Sequence, residues 1–125
     1  MVTVSEDYVS HKTAKLLEGK FHSEDCFAFY KENGDIGFLQ TFGDIAEYDP
    51  ETCVHAPTLQ MAMKVLREMG IAIIPIISSI LDEEKFLWDA EIVTTKNKVY
   101  RQGWVYEHLE EVIDTAIRWS LENLI

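Results

Sequence analysis

Residues 57–77 read PTLQMAMKVLREMG and then IAIIPII, and this stretch decides the fold. The first part has the pattern of one amphipathic helix. Thr58 follows Pro57 and can cap the free amides of a first turn. Leu59, Ala62, Met63, Leu66 and Met69 recur at helical spacing as one apolar stripe, with Gln60, Lys64, Arg67 and Glu68 gathered opposite. Gly70 can take the left-handed conformation that ends a helix. The strand Ile71 to Ile77 is apolar on both faces, which predicts burial on both sides. Pro75 has no N–H for a ladder and belongs at an edge, a bulge or a strand end. Met61 and Val65 widen the apolar face of the helix beyond what one sheet needs, so they are expected to meet a second helix or a partner.

Toward the C-terminus, Ser78 to Lys85 reads as a loop with a small acidic cluster. Phe86 to Thr95 then alternates as a strand, with Phe86, Trp88, Ala90 and Ile92 on one face and Asp89 and Glu91 on the other. Lys96 to Lys98 reads as a tight turn, and Val99 to Tyr106 as the returning strand. The last helix, 108–124, carries a continuous stripe from Leu109 through Val112, Ile113, Ala116, Ile117 and Leu121 to Leu124. Its acids Glu110, Glu111 and Asp114 lie early, where the helix dipole favours them. Leu66 and Ile117 are the expected core anchors of the two long helices. Trp119 lies at the flank of its stripe, where an exposed indole would serve as an interface anchor.

Toward the N-terminus, residues 43–56 read as a connection rich in turn residues. Residues 26–42, CFAFYKENGDIGFLQTF, read as a hairpin. Asn33-Gly34 suits a two-residue type I′ turn, which would place Phe29 opposite Phe38 and Tyr30 opposite Gly37, with Phe27, Phe29, Ile36 and Phe38 toward the core. Ser10 can cap a short helix through Glu18, and Gly19 can stop it. Residues 1 to 9 read as a loose lead-in. Hairpins mixed with helices predict an α+β fold: one domain over 1–125, with a two-layer, mostly antiparallel sheet packed by helices at 10–18, 58–69 and 108–124.

Composition narrows the partners. The chain has 125 residues, 47% of them hydrophobic, and a net charge of −11, which suits one domain with a core and disfavours duplex nucleic acid or an anionic membrane as partner. Two cysteines, Cys26 and Cys53, are too few for a disulfide scaffold, and the start MVTVSEDYVS lacks the features of a secretory signal. A cytoplasmic setting with both thiols reduced is expected. YVSHKTAKLL resembles the first helix of excisionase-type winged helix-turn-helix proteins, but the segment FHSEDCFAFY after it is acidic and strand-like where a basic recognition helix would stand.

Four segments, YVSHKTAKLLEGKF, CFAFY, APTLQMAMKVLREMGI and LEEVIDTAIRWSLENLI, resemble in order a family of short proteins of gut bacteria and their prophages. The shared pattern is a Tyr-Val-Ser start, Ala-Lys-Leu-Leu, an Ala-Pro-Thr helix entry, a Leu-Arg-Glu exit and a Glu-Glu helix ending in Leu-Ile. Members often carry an aromatic where Val65 stands. The resemblance implies a prophage or mobile-element setting and no particular activity.

Three constellations could carry chemistry. Cys53 and His55, with Cys26 and another histidine, could join a metal site, and Cys26 or Cys53 could pair with a histidine base, but a structural zinc site needs four convergent ligands, the neighbours of Cys53 are acidic rather than activating, and Cys26 sits in an apolar strand. Asp89 and Glu91, with Arg101 on the facing strand, could do acid–base work, although strict alternation favours a solvated face with a cross-strand ion pair. Trp88, Tyr100, Trp104 and Tyr106 could stack bases but have no basic groove beside them. No metal or cofactor is expected. The expected function is a non-enzymatic interaction or accessory protein, binding a protein partner or itself through Met61, Val65 and Trp119; an acidic inhibitor of a host protein is the sharper form. The alternative is a small hydrolase using Asp89 and Glu91 or Cys53 and His55.

Overall fold

The structure is a computed structural model that describes residues 7–21, 26–39 and 42–125. The fold is α+β, as expected; the described strands form two sheets of three with every pairing among them antiparallel, and the described helices number four. The chain falls into two compact units, Met1–Ala62 and Met63–Ile125.

In the first unit, α1 (His11–Leu17) starts where Ser10 accepts the Thr13 N–H at 3.3 Å and ends before Gly19, whose φ is +82°. Of the expected lead-in, residues 1–6 lie outside the described residues, while Tyr8 bridges to Thr58 and Val9 is buried. The hairpin of β1 (Ala28–Tyr30) and β2 (Ile36–Phe38) forms in a register one residue from the expected one: Phe29 faces Gly37 and Ala28 faces Phe38. The turn is the reason. Lys31 donates to Asp35 at 2.8 Å and Gly34 donates to Lys31 at 2.8 Å, so three residues form the loop and Gly34 alone takes a positive φ, +93°. A type I turn closed by a glycine bulge is a common three-residue hairpin, and it displaces the pairing of the two-residue type I′ form.

The shift moves the core. Phe29 is fully buried, but Phe27 and Ile36, expected inside, are exposed, and Phe38 is half-buried. Gly37 leaves room for Phe29, since a Cβ there would lie 2.8 Å from its Cζ. The stretch read as a connection holds two elements. Helix α2 (Phe42–Glu47) is tied to β2 by Asp44, which accepts the Phe38 N–H at 3.0 Å, and β3 (Val54–His55) pairs with β1. Between them Asp49 accepts from Glu51 through its side chain and from Cys53 through its carbonyl, a turn opened by Asp-Pro.

The helix α3 (Leu59–Glu68) begins in the first unit and ends in the second. Thr58 accepts the Met61 N–H at 3.2 Å, and Gly70 has φ +85°. Leu59, Ala62 and Leu66 are buried, whereas Met69, expected in the stripe, is exposed as the helix runs out.

In the second unit, β4 (Ile71–Asp82), β5 (Lys85–Thr94) and β6 (Val99–Arg101) make a sheet with β5 in the centre. The region read as a loop, Ser78 to Lys85, is mostly strand. β4 continues to Asp82 and turns through Glu83 and Glu84, with extra residues Ser78 and Leu81 absorbed as irregularities on β4. Pro75 sits on this edge strand. The turn at 94–98 repeats the geometry of the first hairpin: Asn97, with φ 62°, donates to Thr94 and stands where Gly34 stands. The expected strand from Val99 to Tyr106 is interrupted. It leaves the ladder after Arg101, passes Gly103 at φ +74° and rejoins β5 where Tyr106 pairs with Trp88.

The last helix, α4 (Leu109–Asn123), packs on β4 and β5. Val112, Ala116, Ile117 and Leu121 are buried, as are Ile71, Ala90 and Ile92 of the sheet. Ser120 shares this face because its hydroxyl donates to the Ala116 carbonyl at 2.8 Å. Burial of Ile71 to Ile77 on both sides does not occur: Ile71 is buried, but Ile74 and Ile77 are exposed, because helix cover reaches one face and only part of the hairpin's length.

Candidate functional site

Three places in the fold bear on function. The first lies in the first unit around His55. Its backbone N–H and its ring Nδ1 both reach Glu18, at 3.2 and 3.3 Å, and its Nε2 lies 3.3 Å from the Tyr48 hydroxyl. In the neutral ring this network sets the tautomer: Nδ1–H donates to Glu18 and Nε2 accepts from Tyr48. Burial pushes the Tyr48 phenol above its ordinary value of 10.0, and the neighbouring Glu18 and Cys53 push it the same way. Tyr48 thus keeps its phenolic proton further into the alkaline range than a free tyrosine. Cys53 is buried, and its sulfur accepts the Asp49 N–H at 3.5 Å. Sequence reading found Cys53 and His55 and missed Glu18 and Tyr48. Glu18 lies 37 residues from His55, and no local pattern links them.

The second place is Asp89 in the second unit. Expected on a solvated face, Asp89 is 1% exposed. The ion pair with Arg101 is present, with Nε donating at 3.0 Å, but two backbone groups join it. The other carboxylate oxygen accepts the Ala90 N–H at 2.7 Å and the Trp104 N–H at 3.1 Å. The segment after Arg101 leaves the ladder and covers Asp89, which supplies an acceptor for a backbone amide that the ladder no longer serves. Glu91 faces Arg101 in the register and is half-buried. Both oxygens of Asp89 are thus committed to holding the 101–104 segment.

The third place is the outer half of the β4–β5 hairpin. Residues opposite each other share a face, so Ile77, Ile80, Phe86 and Trp88 continue the face that carries Ala90 and Ile92. Ala90 and Ile92 are buried under α4, whereas Ile77 is 50%, Ile80 69% and Phe86 44% exposed. Phe86 and Trp88 rest edge to face at 5.9 Å. Sequence reading missed this stripe, because alternation marks the apolar face of a strand but not where its covering helix stops.

The expected interface residues do not form an exposed set. Met61 and Val65 are half-buried, and Trp119, expected exposed, is half-buried beside Tyr100 at a ring distance of 5.3 Å. Of the aromatics weighed for base stacking, Tyr100 packs on Trp119, Trp88 packs on Phe86, and the Tyr106 hydroxyl accepts from Thr115 at 3.4 Å. Among the described residues no group of three His, Cys, Asp or Glu is placed to hold a metal ion, and no helix is long and apolar enough to cross a membrane. Comparisons with protein-family models, with curated proteins and with solved structures each gave no match.

Proposed function

We propose that this chain is a non-enzymatic interaction protein that contacts another protein through the outer half of the β4–β5 hairpin. The uncovered stripe Ile77, Ile80 and Phe86 carries the proposal. Contiguous exposed apolar surface on a strand pair is what an interface supplies, and a chain of net charge −11 has ample polar surface to spare it elsewhere. A prophage or mobile-element setting belongs to the same proposal and rests on the four resembling segments. The alternative, a small hydrolase using Asp89 and Glu91 or Cys53 and His55, has less support: three donors engage Asp89, and Cys53 is buried with an N–H on its sulfur.

A photo-crosslinking residue tests the proposal. Placed at Ile80 in cells that produce the protein, it should yield a discrete protein adduct; at Glu122, exposed on α4, it should not. No adduct from position 80, or the same adducts from both positions, overturns the reading.

A further inference from the structure

We infer that the occupant of the hairpin stripe is an amphipathic helix with basic flanks, presented by a different protein; this rests on the interaction reading above. Three observations lead there. First, the edge of β4 is poorly suited to accept an added strand. Pro75 removes one donor, and the register irregularities at Ser78 and Leu81 break the ladder twice along the outer half. The face, and not the edge, is what the hairpin offers.

Second, that face already carries a helix. α4 lies on it over Ala90 and Ile92, and the stripe Trp88, Phe86, Ile80 continues the same surface without a break. A second helix laid on the stripe would extend the layer that α4 begins, in the ordinary way helices cover a sheet.

Third, the charges around the stripe have one sign in excess. Thr115 meets Tyr106, which pairs with Trp88, and Trp119 meets Tyr100, which pairs with Ile92. The helix therefore runs with its N-terminal end toward the exposed part of the hairpin. That end brings Glu107, Glu110 and Glu111, all exposed, and the hairpin turn brings Asp82, Glu83 and Glu84, with Lys85 the cation among them. An apolar stripe between two sets of carboxylates suits a ligand whose apolar face is flanked by Lys and Arg. A second copy of this chain would bring the same carboxylates against themselves, on top of a net charge of −11 in each copy.

The test uses designed helical peptides with a leucine stripe, one flanked by Lys and Arg and one flanked by Glu, titrated into the full chain by calorimetry. The basic peptide should bind and the acidic one should not. The Ile80→Ser, Phe86→Ser double variant should bind the basic peptide at least about tenfold more weakly, the scale of losing an apolar anchor. Both side chains are exposed, and circular dichroism of the variant checks that the fold is kept. Equal binding of both peptides, or unchanged binding by the variant, overturns the inference. Sedimentation separates the two levels of the argument. A dimer that dissociates in the double variant, with no binding of the basic peptide, removes the helix and leaves the interaction reading standing. A monomer that binds neither peptide and yields no crosslink from position 80 removes both.

Discussion

The carboxylate of Asp89 accepts the backbone N–H of Trp104, fifteen residues further on, at 3.1 Å. That bond closes the segment that leaves the ladder between Arg101 and Tyr106, and it makes a buried acid part of the frame.

Asp89→Ala should destabilise the fold by about 1–3 kcal/mol, because it strands the amides of Ala90 and Trp104 together with the Arg101 guanidinium. Arg101 is half in water, so Arg101→Ala should cost less, under about 1 kcal/mol. Urea unfolding of both variants checks the order; an equal or reversed order would show that the ion pair, and not the backbone N–H donors, matters at this site.

Gly37→Ala should also destabilise, by about 1–3 kcal/mol, the usual scale of overpacking. The new methyl would meet Phe29 at 2.8 Å from Cζ and 3.1 Å from Cε1, and Phe29 is fully buried. A second substitution, Phe29→Leu, should relieve part of the added cost, which a double-mutant cycle measures.

Leu66→Ala and Ile117→Ala should each cost about 2–5 kcal/mol, since both side chains are fully buried. Ile80→Ala, at 69% exposure, should stay within about 0.5 kcal/mol. Thermal or denaturant unfolding of the three variants tests whether the hairpin stripe lies outside the folding core.

Tyr48 makes stability depend on alkaline pH. Burial, with Glu18 and Cys53 nearby, raises its folded pKa, so the unfolded chain loses the phenolic proton first. The contribution is full below the ordinary value of 10.0 and is lost as pH rises through the folded value. Tyr48→Phe should flatten that part of the stability profile. In an ultraviolet titration of the folded protein, the phenolate that disappears in the variant should be one that titrates late.

Much of the frame was legible because its signals are local. Ser10, Gly19, Thr58 and Gly70 mark helix ends within a turn of the groups they serve, and the stripe through Leu59, Ala62 and Leu66 needs only the helical repeat. The alternation of Phe86 to Ile92 likewise gave the correct faces of β5. The first hairpin was legible as a hairpin but not in register, because Asn-Gly suits a two-residue turn and a three-residue turn alike. The choice fell to the room that Phe29 finds over Gly37.

What tertiary structure alone decided are the relations between distant parts of the chain. Glu18 meets His55 across 37 residues, and Asp89 is buried because the 102–105 segment folds over it. Phe86 is exposed while Ala90 on the same face is not, because the cover of α4 ends between them. A residue's own pattern fixes which way it points, but whether another element arrives to meet it depends on chain that pattern does not contain. In this protein the burial of Asp89 and the exposure of Ile80 were both settled there.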